Sequence, residues 1–125
     1  MTSSKSYPAL HLRLTFAAGS WIGPGKADLL EGIAETGSIA AAGRRMGMSY
    51  KRAWGLAEVL NGMFREPLIA SSRGGSQHGG ASLTPLGREV LGHYRALQAH
   101  CLAAGAVDIA ALARLAAPPD VADGK

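Results

Sequence analysis

Gly37-Ser38-Ile39-Ala40-Ala41-Ala42-Gly43-Arg44-Arg45-Met46-Gly47-Met48-Ser49-Tyr50-Lys51-Arg52-Ala53-Trp54 is the stretch that decides how this chain is read. It divides into two short helical segments around a tight Met46-Gly47-Met48 turn. Ser38 and Ser49 each stand where a helix N-cap belongs, because a serine oxygen can accept from an orphan amide of the first turn. The small residues Ala40, Ala41, Ala42 and Gly43 allow close packing against a neighbouring helix. The second segment opens with Tyr50, Lys51 and Arg52, long donors at the end of a helix that would enter a DNA major groove. The pattern is that of a helix-turn-helix.

On either side of the turn, helix two is expected over about Ser38–Met46 and helix three over about Ser49–Phe64. In helix three, Ala53, Leu56, Ala57, Leu60 and Phe64 form an inward stripe. Tyr50, Lys51, Trp54, Gly55 and Glu58 fall on the opposite side. Upstream, residues 26–36 place Leu29, Leu30, Ile33 and Ala34 on one face and Asp28, Glu31 and Glu35 on the other. Gly37 ends this first helix, since glycine accepts a left-handed conformation. Before it, Leu10, Leu12, Leu14 and Phe16 alternate with His11, Arg13 and Thr15, the period of a half-buried strand. Ala17-Ala18-Gly19-Ser20 turns the chain, Trp21-Ile22 pairs back, and Gly23-Pro24-Gly25 stops the strand.

Downstream, Pro67–Ser72 and Ala81–Leu83 read as a second hairpin around the glycine-rich loop Arg73–Gly80. Thr84-Pro85 then starts a fourth helix, with threonine as cap and proline at the first helical position. Val90, Leu91, Tyr94, Leu97, Cys101 and Leu102 give it an apolar stripe through about Ala104. Residues 107–116 form a short Ala-rich helix before a polar tail. The expected fold is mainly α with small β: an N-terminal β-hairpin, three helices, a β-hairpin wing and a long fourth helix, the winged helix-turn-helix order. The divisions are a disordered segment 1–8, the domain 9–104, and the Ala-rich helix and polar tail 105–125.

The chain has 125 residues, enough for one domain with a modest core. Its 13 Lys and Arg outweigh 9 Asp and Glu, and the distribution matters more than the total. Residues 38–65 carry Arg44, Arg45, Lys51, Arg52 and Arg65 against Glu58 alone. The preceding helix sets Lys26 against Asp28, Glu31 and Glu35. Positive charge is gathered where phosphates would lie. Cys101 is the only cysteine, which excludes an intrachain disulfide and an all-cysteine metal site. The four histidines (His11, His78, His93, His100) lack ligand spacing beyond weak proximities to Cys101, so no metal and no cofactor is expected. No apolar run approaches the roughly 18 residues of a membrane span. The N-terminus lacks the apolar core of a signal peptide. A cytoplasmic protein with no membrane association is expected.

Several motifs occur together in order: Gly23-Pro24-Gly25-Lys26, Leu29-Leu30-Glu31, Glu35-Thr36-Gly37-Ser38-Ile39 and Met48-Ser49-Tyr50-Lys51-Arg52-Ala53-Trp54. They continue with Glu66-Pro67-Leu68-Ile69, Gly74-Gly75, and Gly79-Gly80-Ala81-Ser82-Leu83-Thr84-Pro85-Leu86-Gly87. Over about residues 10–104 the chain resembles the N-terminal DNA-binding domain of ModE-type, molybdate-responsive transcription regulators. A more distant likeness is to LysR-type headpieces. The resemblance implies a two-fold dimer built on the N-terminal hairpin, helix one and helix four. Only about twenty residues follow the fourth helix, so it is the short, stand-alone form without oxyanion-binding domains that is resembled. Direct molybdate binding is not expected. The wing carries Ser76-Gln77-His78 where the family has lysine between glycine pairs, which removes one phosphate contact or makes it pH-dependent through His78.

The candidate DNA-binding residues are therefore Ser38, Arg44, Arg45, Ser49, Tyr50, Lys51, Arg52, Trp54, Arg73, Gln77 and His78. Tyr50, Lys51 and Trp54 would reach base edges; Ser49, Arg52, Arg44 and Arg45 would hold phosphates; Arg73, Gln77 and His78 would act from the wing. Against this stand plainer readings. Charges on a helix are usually solvated, Trp54 suits partial burial between helices, and Cys101 on an apolar stripe suits a buried small hydrophobe. The wing glycines precede no Gly-Lys-Ser/Thr, so a nucleotide loop is not indicated. No nucleophile is paired with a base, and an enzyme is not expected. Other classes left open are a protein-interaction module, a non-specific architectural DNA binder and an oxyanion-binding role.

Overall fold

The computed structural model describes residues 7–72 and 80–118. It comprises two compact units, His11–Arg95 and Met1–Leu10 with Ala96–Lys125. In chain order the elements are β1 (Leu14–Ala17), β2 (Ser20–Ile22), α1 (Pro24–Thr36), α2 (Ile39–Arg45), α3 (Tyr50–Met63), β3 (Ile69–Ser72), β4 (Gly80–Leu83), α4 (Pro85–Ala104) and α5 (Ala106–Leu115). The described residues are mainly helical with two separate antiparallel two-stranded sheets, β1–β2 and β3–β4, an order compatible with a winged helix. Among the described residues no single helix is long and apolar enough to cross a membrane, although α4 and α5, bent at a break between them, reach that length and composition as a pair.

The core of His11–Arg95 follows the helical stripes. Leu29, Leu30 and Ile33 of α1 meet Ile39 and Ala42 of α2, Ala53, Ala57 and Leu60 of α3, and Leu68, Ile69, Ala81 and Leu83 from the second hairpin. Ala34, expected on the apolar face of α1, is exposed. Gly37 ends α1 with φ at 75°, its N–H donating to the Ile33 carbonyl. The Gly37 carbonyl then accepts from Ala81 N–H at 2.9 Å, tying β4 to the turn between α1 and α2. Helix α1 begins at Pro24, two residues before the expected start, because proline at the first helical position has no amide to leave unpaired.

The first strand differs from expectation. Alternation over Leu10–Phe16 predicts a half-buried strand, yet β1 covers only Leu14–Ala17 and all four residues are exposed. Leu14 pairs with Ile22 and Thr15 with Trp21, but the register breaks before Ala17 pairs with Ser20. With one partner strand and a bulge at Phe16, β1 has no covering layer among the described residues apart from an edge contact of Phe16 with Phe64 at 5.7 Å. Leu12, outside the strand, joins a second small core with Ile22, Ala27, Val90, Leu91 and Tyr94.

Tyr94 closes that core. Its ring is buried and its Oη donates to the Leu12 carbonyl at 2.6 Å. Tyr94→Phe keeps the packing and removes the bond, which should cost about 1 kcal/mol in denaturant unfolding. Burial, the largest influence, raises the phenol above its ordinary 10.0; Arg95 opposes this and Asp28 adds to it. The folded state thus holds the proton more tightly than the unfolded chain. That contribution is complete below pH 10 and is lost as pH rises through the folded value. The Phe variant should lack this alkaline loss; identical alkaline slopes for both proteins would refute the assignment.

In the unit of Met1–Leu10 with Ala96–Lys125, the final turns of α4 lead through Gly105 into α5. Gly105 N–H donates to the Cys101 carbonyl at 2.9 Å, and a Cβ there would lie 3.0 Å from that oxygen. The continuation of the apolar stripe is not buried: Leu97 and Leu102 are exposed, as are Val107, Leu112 and Leu115 of α5. Cys101 is half-buried, not buried as its position on the stripe suggested. Periodicity marks an apolar face without supplying what covers it.

Candidate nucleic-acid interface

Both expected serine caps form. Ser38 Oγ accepts from Ala41 N–H at 3.0 Å, and Ser49 Oγ accepts from Arg52 N–H at 3.1 Å. Each hydroxyl proton remains available to an outside acceptor. Between the helices Gly47 takes φ of 71°, and Met48 N–H donates to the Gly43 carbonyl at 2.9 Å. The approach of α2 to α3 is close. A Cβ on Gly43 would sit 2.7 Å from Ala53 Cβ, and one on Gly32 would sit 2.9 Å from Ala42 Cβ. Both partners are methyl groups on rigid backbone, so the small residues set the distance between α1, α2 and α3.

That packing turns Tyr50, Lys51, Arg52, Gly55, Glu58 and Val59 of α3 outward. Trp54 is half-buried against the core and meets Tyr50 edge-on at 6.1 Å. The interplanar angle of 79° is an ordinary T-shaped aromatic geometry, which presents the Tyr50 ring to solvent beside Lys51.

The charge arrangement separates residues that look equivalent in sequence. Arg45 Nη2 lies 2.7 Å from Glu35 Oε1, so its charge is shared with α1. Arg95 contacts Asp28 at 2.9 Å and Glu31 at 2.7 Å. Burial alone would lower the Arg95 pKa, but hydrogen bonds and charge from the two carboxylates outweigh it and raise it. All three acids of α1 are thereby engaged. Arg44, Lys51 and Arg52 form no ion pair among the described residues. Exposed cations without an internal ion pair leave a field that an anionic polymer would meet. Arg73, Gln77 and His78, the expected wing contacts, lie outside the described residues.

Three side chains that tie the surrounding elements together, Asn61, Lys26 and Arg95, were given no role by sequence reading. Asn61 of α3 accepts from Leu68 N–H and Ile69 N–H, both at 2.9 Å, and donates to the Ile69 carbonyl at 3.1 Å. It thereby fixes the start of β3 against α3. The available signal was a lone amide interrupting the apolar residues that follow Ala57. Asn61→Ala should cost about 2 kcal/mol, because buried amides lose their acceptor. Amide exchange at Leu68 and Ile69 should accelerate beyond the global change; unchanged protection there would contradict the bridge.

Lys26 is buried, its Nζ donating to the Trp21 carbonyl at 2.9 Å and resting 3.6 Å from the Trp21 ring centroid. The Arg13 guanidinium lies 3.9 Å from the same centroid. Burial, then the charge of Arg13, holds the Lys26 pKa below its ordinary 10.5. Arg95 is the third. Its partners on α1 lie 64 and 67 residues away, beyond any local pattern.

No family model matches the chain. It is 40% identical over 81 residues to the molybdenum-pterin-binding protein MopB of Rhodobacter capsulatus, a stretch covering 65% of this chain and 30% of that protein. It is 43% identical over 70 residues to the molybdenum transport protein ModE of Azotobacter vinelandii, covering 56% and 26%. It is 35% identical over 71 residues to the DNA-binding transcriptional dual regulator ModE of Escherichia coli K12, covering 57% and 27%. The matched segment is related to ModE and the Mop proteins. The chain spans less than a third of the length of each of these three relatives.

Proposed function

We propose that this chain is a DNA-binding transcription regulator of the winged helix-turn-helix type, with α3 in the major groove. The observation that carries the reading is the outward face of α3 and α2, where Arg44, Lys51 and Arg52 keep their charge while the acids of α1 are neutralised within the fold. Relatives named as transcriptional regulators are 35% identical to this chain over 78 and 71 residues, which supports the reading. In this reading Tyr50, Lys51 and the exposed edge of Trp54 address bases. Arg44, Arg52 and the hydroxyls of Ser38 and Ser49 meet phosphates. Arg45, held by Glu35, contributes less than Arg44. The β3–β4 hairpin, with Arg73, Gln77 and His78, reaches flanking DNA. The protein acts as a homodimer through the N-terminal hairpin, helix one and helix four, placing two recognition helices about 34 Å apart. Exposed Leu14 and Phe16, and exposed Leu97 and Leu102, are apolar surface that a second copy would cover.

The test is fluorescence anisotropy with the duplex upstream of the chain's own gene and a scrambled duplex of equal length, across a salt series. Tighter binding to the native duplex near physiological salt supports the proposal. Equal affinities that vanish together with salt indicate a non-specific binder, and no binding to either at low salt removes the DNA reading. Sedimentation as a monomer at tens of micromolar would remove the dimer.

A further inference from the structure

Glu58 is the only acidic side chain among residues 38–65, and no contact among the described residues accounts for it. It is exposed on α3 and forms no ion pair among the described residues. The positions three and four away along the helix hold Trp54, Gly55, Asn61 and Gly62, so no cation stands where a helical ion pair would form. On a surface that meets phosphates an idle carboxylate is repulsive. It becomes favourable against a donor, and the donor exposed in a major groove is a base amine such as cytosine N4.

Two further observations set Glu58 in line with Lys51 on the outward side of α3. Lys51 and Glu58 are seven residues apart, two helical turns, and both are exposed. Their separation along the axis is about 10 Å, close to three base-pair steps. Between them stands Gly55, four residues after Lys51 and three before Glu58. Glycine inside a helix is unfavourable, and a Cβ on Gly55 would meet nothing within 4 Å, so internal packing does not require it. An absent side chain there flattens the face, letting α3 approach the base edges more closely.

We infer that Lys51, Gly55 and Glu58 form one sequence-reading unit, in which Glu58 accepts from cytosine N4 about three base pairs from the base that Lys51 contacts, across the gap left by Gly55. The inference rests on the DNA-binding reading above and adds a specificity determinant to it. Glu58 contributes little or negative net affinity and selects a C·G pair at one position.

The experiment is in vitro selection from a randomised duplex library with the full chain, Glu58→Gln and Gly55→Leu, followed by anisotropy on the selected duplex and its single-pair variants. Circular dichroism melting confirms that both variants fold, which exposure at both positions favours. The parent chain should enrich a motif with one fixed C·G pair, whose replacement weakens binding roughly five- to hundred-fold. Glu58→Gln should lose or switch preference at that position alone, and Gly55→Leu should weaken the selected duplex about tenfold or more. If the parent enriches a motif and Glu58→Gln leaves every position unchanged, the inference is wrong and the DNA-binding reading stands. If the parent enriches no motif, the sequence-specific reading falls, and the inference with it.

Discussion

Gly87→Ala should destabilise the protein by about 3 kcal/mol or more, a loss of roughly 12 °C or greater in Tm for a unit of this size. A Cβ at Gly87 would overlap the Leu68 carbonyl oxygen and lie 3.0 Å from Leu68 C and 3.2 Å from its Cα. The atoms in the way are backbone, and several bonds hold them. Thr84 N–H donates to the same Leu68 carbonyl at 2.9 Å. Thr84 Oγ1 donates to the Pro67 carbonyl at 2.8 Å and accepts from Gly87 N–H at 2.9 Å. Leu68 is itself buried and bridged to α3 by Asn61. Relief therefore means displacing the start of α4 or the start of β3, and either move breaks a capped terminus. Gly92→Ala is the matched control on the same helix. A Cβ there meets nothing within 4 Å, so the better helix former should be neutral or stabilising by up to about 1 kcal/mol. Similar melting temperatures for the two variants would show that the close approach of α4 to Leu68 is wrong.

The second large effect concerns binding. Lys51→Glu combined with Arg52→Glu should weaken duplex binding by about a hundredfold or more at moderate salt while leaving Tm within a few degrees. Both side chains are exposed, and neither is paired among the described residues, so reversing them removes no internal bond. The Ser49 cap also survives, because it uses the Arg52 amide and not its guanidinium. Reversal replaces attraction by repulsion at each neighbouring phosphate. The slope of log affinity against log salt should fall by close to one unit for each phosphate that is no longer neutralised. Arg45→Ala should weaken binding far less, since Glu35 already holds its guanidinium. A double variant that binds as tightly as the parent, with the same salt slope, would remove α3 from the interface.

Much of the fold was legible because the signals were local. The serine caps of α2 and α3 act over three residues. The left-handed glycines at 37 and 47 and the Thr84-Pro85 start of α4 need no knowledge of distant contacts. The inward stripe of α3 is likewise a property of one helix: Ala53, Ala57 and Leu60 are buried, while Leu56 and Phe64, the latter just past the helix end, are partly buried. Alternation in Leu10–Phe16 misled because period two identifies a strand with a distinguishable face without supplying the layer that buries it. The expected burial of Cys101 failed for the same reason.

The amino-acid sequence by itself determined the order of the elements, the capped starts of α2, α3 and α4 and the clustering of cations on α2 and α3. Capping, backbone conformation and helical period all act within a few residues of their cause. Only the tertiary structure decided which of those cations are free. Arg44 and Arg45 are neighbours in sequence, yet Glu35 holds one and not the other. It also decided that Gly87 must be glycine, that Asn61 carries the start of β3, and that Tyr94 bonds a carbonyl 82 residues away. Those assignments depend on distances between segments remote along the chain, which exist only once packing has brought them together.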